Sequence, residues 1–395
     1  MAADRTVQPT PHPTPLGEDP VDWLRLIRSR RVGPTTFHRL VADHGDVRRA
    51  LAALPDIARA AGVDGYEPCP VDVARAELSR GRAAGARLLR HGGPDYPQSL
   101  MDLPDAPPLL WCLGDVSWLS RPVVALVGAR NASSLGQRMA RRLAESLGQA
   151  GQVVISGLAR GIDAEAHRAA LPTGTVAVMA GGVDVLYPSE NAALYADVAA
   201  RGCLVSEQPM GCEPQARHFP LRNRIISGLS RAVVVVEAAS RSGSLITAKE
   251  ALDQGREVLA VPGHPFDARA AGCNQLIREG AVLVRSASDV LEALGMAAVP
   301  EPGQGVDAPP EPVTMPAARR SATVLPGPVP VRRPLTEIAA LHGRILDRLG
   351  PSPLAEDQLI RDLAEPASVI APELVALELE GRIHRAAGGL LSRVG

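Results

Sequence analysis

Fifteen residues, Arg217 to Arg231 (RHFPLRNRIISGLSR), carry four arginines and one phenylalanine and no acidic residue. Phe219 is one of only three phenylalanines in the chain. A ring beside guanidinium groups offers a stacking surface and an anion-binding surface together, which is what single-stranded nucleic acid requires. The competing reading is packing, with Phe219 as a hydrophobic staple and Arg222 and Arg224 in surface ion pairs. Arg222 and Arg224 lie about 200° apart around a helix, so at most one of them is expected to face a bound strand.

Other chemistry is thin. His167 follows Asp163 and Glu165, but no Cys or Ser nucleophile pairs with it by local spacing. A core or helix-surface histidine is therefore the preferred reading, and Asp163 and Glu237 read as structural. No G-x-x-x-x-G-K-[ST] occurs, which excludes a P-loop ATPase. The five cysteines are scattered and lack a C-x-x-C pair, against a disulfide framework or a zinc site. With 42 basic and 43 acidic residues, a polyanion must be held by local clustering rather than by net charge. Lys249 is the one lysine, so anion sites here are guanidinium sites.

The elements that would position these residues alternate. From Pro122, short apolar runs (Val123–Val127, Val153–Ile155, Val176–Met179, Leu204–Val205, Val233–Val236, Val258–Val261, Val282–Val284) are separated by helical stretches. This predicts an α/β fold, a Rossmann-like, doubly wound and mostly parallel sheet. Five domain-level segments are expected: a disordered proline-rich tail over 1–19, a small helical domain of SAM or helix-hairpin-helix type over 20–90, the core over 91–296, a flexible linker over 297–334, and a winged helix over 335–395. The turn Val32-Gly33-Pro34-Thr35 suits a helix-hairpin-helix, although a second glycine is usual where Thr35 or Thr36 stands; a plain connector is the alternative. The second and third helices of the winged helix are acidic (Glu356, Asp357, Asp362, Glu373, Glu378, Glu380), which favours protein contact over groove reading. No apolar run reaches membrane-spanning length and the N-terminus lacks a secretory layout, so a cytoplasmic protein is expected.

In such a sheet, ligands collect at the carboxyl ends of the strands. Those ends carry Gly128-Ala129-Arg130-Asn131, Gly157-Leu158-Ala159-Arg160-Gly161-Ile162-Asp163, Gly181-Gly182 and Gly243-Ser244. Free amides at helix starts with arginines beside them favour anions. None matches the dinucleotide fingerprint G-x-G-x-x-G. The stretch from Arg217 follows the Leu204–Val205 strand and so falls at the same edge.

These motifs resemble those of the DprA (Smf) family of DNA-processing proteins of natural transformation. The resemblance rests on Val127–Arg130, Ser156–Asp163, Ala180–Pro188, Phe219–Leu229 and Ser242–Ala248, and more loosely on the flanking domains. It implies a homodimer that binds and protects incoming single-stranded DNA and helps load the recombinase RecA, with no catalysis and no cofactor. It further implies that Arg130 and the basic loop before Phe219 hold phosphates and that Phe219 stacks on a base. Members of the family carry a lysine near position 216, where this chain has Ala216 followed by Arg217. The candidate DNA contacts are thus Gly128, Arg130, Asn131, Gly157, Arg160, Gly161, Gly181, Gly182, Arg217, Phe219, Arg222, Arg224, Gly243, Ser244 and Lys249.

Two other functions fit parts of the sequence. Glu237–Glu250 (EAASRSGSLITAKE) is faintly similar to the Gly-Gly-x-Gly-Thr-x-x-Glu turn of nucleotide-cleaving phosphoribohydrolases, with Lys249 and Glu250 near a phosphate; Ser244-Leu245-Ile246-Thr247 breaks that pattern. A pure scaffold, acting through the winged helix and linker, is the third.

Overall fold

The computed structural model describes residues 19–296, 335–350, 353–386 and 390–394. The expected tail over 1–18 and linker over 297–334 lie outside the described residues. Four helices open the chain: α1 (Pro20–Arg28), α2 (Pro34–His44), α3 (Val47–Ala60) and α4 (Val71–Ala83). Their starts are written in the sequence. Asp19 accepts from the Val21 amide at 2.9 Å and Asp46 from the Arg49 amide at 2.7 Å, while Pro20 and Pro34 occupy first-turn positions where no N–H is missed. Trp23, Leu24, Leu26, Phe37, Leu40 and Leu51 close their common core.

Among the described residues nine strands form one sheet: β1 (Arg87–Arg90), β2 (Leu109–Gly114), β3 (Val123–Val127), β4 (Val153–Ser156), β5 (Thr175–Val178), β6 (Cys203–Ser206), β7 (Ala232–Val235), β8 (Glu257–Ala260) and β9 (Val282–Leu283). Their order is β1-β2-β6-β5-β4-β3-β7-β8-β9. The seven strands from β6 to β9 run parallel, and β1 and β2 add antiparallel at one end. The helices are α5 (Gln98–Met101), α6 (Ser134–Gln149), α7 (Ile162–Ala170), α8 (Ala192–Arg201), α9 (His218–Leu229), α10 (Ser244–Asp253), α11 (Ala271–Arg278) and α12 (Ala287–Ala293). Separate apolar layers cover the two faces of the parallel strands, as their continuous Val, Ile, Leu and Ala runs demand.

Arg87-Leu88-Leu89-Arg90 pairs with β2, which places these four residues in the sheet rather than in the helical domain expected to run to residue 90. Two arginines around two leucines carry no alternation long enough to announce a strand.

The winding fixes the site. From β3 the chain steps outward through β4 and β5 to β6; α9 then carries it back to β7, on the other side of β3. The order reverses between β3 and β7, and the crevice outside their carboxyl ends is the expected ligand position of an open α/β sheet.

The C-terminal unit comprises α13 (Leu335–Arg348), β10 (Leu354–Ala355), α14 (Glu356–Leu363), α15 (Ala367–Leu379), β11 (Ile383–Ala386) and β12 (Leu390–Arg393). Its three strands pair in the order β10-β12-β11, the arrangement of a winged helix. The third helix begins at Ala367, where Pro366 supplies the extended residue before the helix start.

Candidate nucleic-acid interface

The first turn, Gly128–Ala132, leaves β3 and enters α6. Ser133 caps α6, its Oγ accepting from the Gly136 amide at 3.0 Å. The Ser133 amide donates to Glu237 Oε2 at 2.8 Å, and the Ala129 amide donates to the Glu237 carbonyl at 2.6 Å. Glu237, at the end of β7, is therefore a brace across the switch point. Burial raises its carboxyl pKa, against the bonds from Ser133.

The second turn, Gly157–Asp163, leaves β4 and enters α7. Asp163 is buried, and its Oδ2 accepts from the amides of Gly157 (3.1 Å) and Ala159 (3.3 Å). Gly161 takes φ 77°, and a Cβ there would lie 2.2 Å from the Ala129 carbonyl oxygen, so the two turns touch through a position only glycine fills. The Gly157 amide is thus committed within the protein rather than offered to a phosphate.

Phe219 sits in the first turn of α9. The Arg130 guanidinium carbon lies 5.3 Å from its ring centroid, within cation–π range. The Tyr187 ring meets it edge-on, with centroids 5.8 Å apart and planes at 63°. Phe219 and Arg130 together form a wall between two chambers. One, of about 380 Å³, is lined by Arg130, Gly157, Arg160, Gly181, Tyr187 and Arg222 among others. The other, of about 650 Å³, is lined by Gly128, Arg130, Asn131, Arg222, Gly243 and Ser244 among others. Both chambers share Arg130, Ala159, Phe219 and Arg222.

Arg222 is buried behind the wall. Its Nη1 donates to Asn223 Oδ1 at 2.9 Å and its Nη2 donates to the Gly157 carbonyl. Burial lowers its pKa and raises that of Asp163, and the attraction between the two charges opposes both shifts. Buried Arg222 Nε has no hydrogen-bond partner among the described residues.

The remaining candidates separate. Arg160 lines the smaller chamber and reaches Glu190 Oε1 at 3.4 Å. Arg217 is exposed, donates to His218 Nε2 at 3.4 Å, and lines neither chamber. Gly182 is tied by its amide to the Cys212 carbonyl at 2.8 Å and lines neither chamber. Lys249 is exposed on α10 and lines neither. Arg224 corrects the sequence reading: it is buried on the far side of α9, with Nη2 on Glu207 Oε2 at 2.5 Å and Nε on Asp105 Oδ2 at 3.3 Å. Two carboxylates already hold it, so it is a structural arginine rather than a phosphate contact. Glu250 lines a separate groove with Asp105, Glu207 and Arg224, not the glycine-lined cleft, so the carboxylate at the end of the Glu237–Glu250 run does not reach the cleft.

His167 is a core residue. Its Nδ1 meets Thr175 Oγ1 at 2.7 Å, and that hydroxyl donates to the Val154 carbonyl at 2.8 Å. Burial, with Arg222 and Arg168 nearby, pushes its pKa down to about 3, so it is neutral. Sequence reasoning missed Tyr187, Arg241 and Arg269 as cleft residues. Tyr187 lies in the Ala180–Pro188 motif.

The comparisons with known proteins agree with this architecture. A family model described as DNA recombination-mediator protein A matches residues 87–295. The chain belongs to this DprA family. A DprA-like N-terminal HHH domain model matches 17–79, which contains the Val32–Thr35 turn, and a DprA winged helix domain model matches 329–389. Protein Smf of Synechocystis is 32% identical over 390 residues, spanning 93% of this chain and 96% of that one. The DNA processing protein DprA of Bacillus subtilis is 42% identical over 220 residues, 55% of this chain and 74% of the relative. The X-ray structure of DNA processing protein A from Streptococcus pneumoniae superposes with a TM-score of 0.58 at 36% identity, covering 68% of this chain and 95% of that one.

Proposed function

We propose that this DprA-family chain binds single-stranded DNA in the cleft between β3 and β7, without acting on it chemically, and delivers it for recombination. The Arg130 guanidinium lying over the Phe219 ring supports this reading most directly. One residue pair offers a cation to the phosphate backbone and a π-face to a base, at an edge with glycine turns that let the backbone approach. Arg160, Asn131, Gly243 and Ser244 line the same two chambers. Arg217 would contribute from outside them. Duplex DNA, whose bases are already stacked, gains nothing from the ring.

The physiological reading is protection of incoming DNA and loading of RecA by a homodimer acting in the cytoplasm. For the dimer face, the last sheet strand is the candidate: Val282 and Leu283 are about 40% exposed on an edge strand. Fluorescence anisotropy with labelled oligo(dT) and a duplex of equal length, at two salt concentrations, tests the binding claim. Preference for the single strand, lost in Phe219→Ala, is expected; equal binding of both by wild type and variant would sink it. RecA filament formation on protein-coated DNA tests the loading claim.

A further inference from the structure

The winged helix is seated beside the cleft, and one of the arginines that seat it, Arg269, lines the larger chamber. Arg269 lines the larger chamber, yet its Nη1 donates to the Asp347 carbonyl at 2.7 Å and its Nη2 to the Leu349 carbonyl at 3.1 Å. Its other donors go to Asp267, at 3.1 Å from both Nε and Nη2. Arg348, at the end of α13, donates to the carbonyl of Ala132 at 3.2 Å, one residue beyond the cleft residue Asn131. On α6, Arg138 pairs with Asp362 of α14 at 3.7 Å, and the facing atoms are shielded from solvent with no hydrogen bonds of their own.

The chemistry of this contact resembles that of a phosphate. The carbonyls of Asp347 and Leu349 lie at the C-terminus of α13, where the helix dipole places partial negative charge. They meet the Arg269 guanidinium as phosphate oxygens would, and the carboxylate of Asp362 meets Arg138 on the helix that the first glycine turn enters. The acidity of α14, poor for reading DNA, suits a surface that takes the place of DNA.

We propose that the winged helix and single-stranded DNA compete for this end of the cleft, so that the docked domain holds the chain in a state of lower DNA affinity. This rests on the cleft being the DNA site. A strand in the larger chamber that uses Arg269 must release the end of α13, and a partner that draws the winged helix away frees the arginine. The two events are linked, so each favours the other.

Arg348→Ala in the full chain gives a test with an unusual sign. The substitution removes a cation that the winged helix holds against the rim, so a phosphate-contacting or bystander arginine predicts weaker or unchanged binding. Competition predicts oligo(dT) binding about five-fold tighter, in the ordinary range of coupling between two sites. Asp362→Arg should tighten binding likewise, and the charge swap Arg138→Asp/Asp362→Arg, which restores the pair at the original net charge, should return it to the wild-type value. An Arg348→Ala variant that binds no tighter, or a swap that stays as tight as Asp362→Arg alone, overturns the proposal. Phe219→Ala in the same titration reports separately on the cleft: if it binds as wild type does, the site assignment itself has failed.

Discussion

The guanidinium of Arg222 fills the space above Gly157, where a Cβ would lie 1.7 Å from Nη2. The arginine donates to the carbonyl of the same glycine and stands over buried Asp163. Glycine at 157 is thus a packing requirement of a charge. Gly157→Ala must push the guanidinium off its carbonyl, and overpacking of this kind costs about 1–3 kcal/mol. Urea unfolding should show the loss; an unchanged midpoint would mean that Arg222 moves aside freely.

Arg130 and Phe219 should separate in their salt behaviour. On the proposed role of Arg130 as a phosphate contact, Arg130→Ala should lower the slope of log affinity against log salt by about 0.7 for a single strand. On the proposed role of Phe219 as a stacking platform, Phe219→Ala should cost about 1–3 kcal/mol and leave the slope in place. Titrations between low and moderate salt distinguish the two, and identical slope changes would contradict the assigned roles.

Arg224 should behave as a fold residue. Removing it leaves the largely buried Glu207 without its ion-pair partner, and breaking a buried pair in this way costs about 3–5 kcal/mol. Arg224→Met is expected to lower the melting temperature sharply while the folded fraction keeps its salt slope for oligo(dT). A reduced slope would return Arg224 to the phosphate contacts.

His167 gives the chain an acid-sensitive core. Its pKa is depressed from an ordinary value near 6.5 to about 3, so the unfolded chain takes up a proton that the folded chain refuses. Stability from this group is fully present above about pH 6.5 and declines as pH falls toward 3, with a slope of up to about 1.4 kcal/mol per pH unit. His167→Gln should flatten that decline in urea midpoints measured at pH 7 and pH 5. A variant as acid-sensitive as the wild type would place the effect elsewhere.

The parallel core was readable because buried strands must be continuous apolar runs, and Val123–Val127 or Ala232–Val235 cannot be much else. That the stretch from Arg217 falls at the same strand edge as Gly128–Asn131 was readable from strand order, but not which side chains meet there. The sequence could not show which arginines are spent internally. Arg224 and Arg130 look alike in composition, and only the positions of Asp105 and Glu207, distant in the chain, separate them. Tyr187 was missed because nothing local to it signals that its ring turns toward Phe219, 32 residues on. The strand Arg87–Arg90 was missed because its partner β2, and not its own pattern, makes it one.

The Phe219 ring and the Arg130 guanidinium line both chambers, and this limits what a strand bound across them can be. Bases on the two sides of the ring cannot remain stacked on each other across Phe219, so a strand that crosses it must open its own stack there. Oligo(dA), which stacks on itself well, gives up more than oligo(dT), which stacks poorly. The cleft should therefore favour oligo(dT) over oligo(dA) of equal length without reading any base by hydrogen bonds, and paired measurements with the two homopolymers would show it.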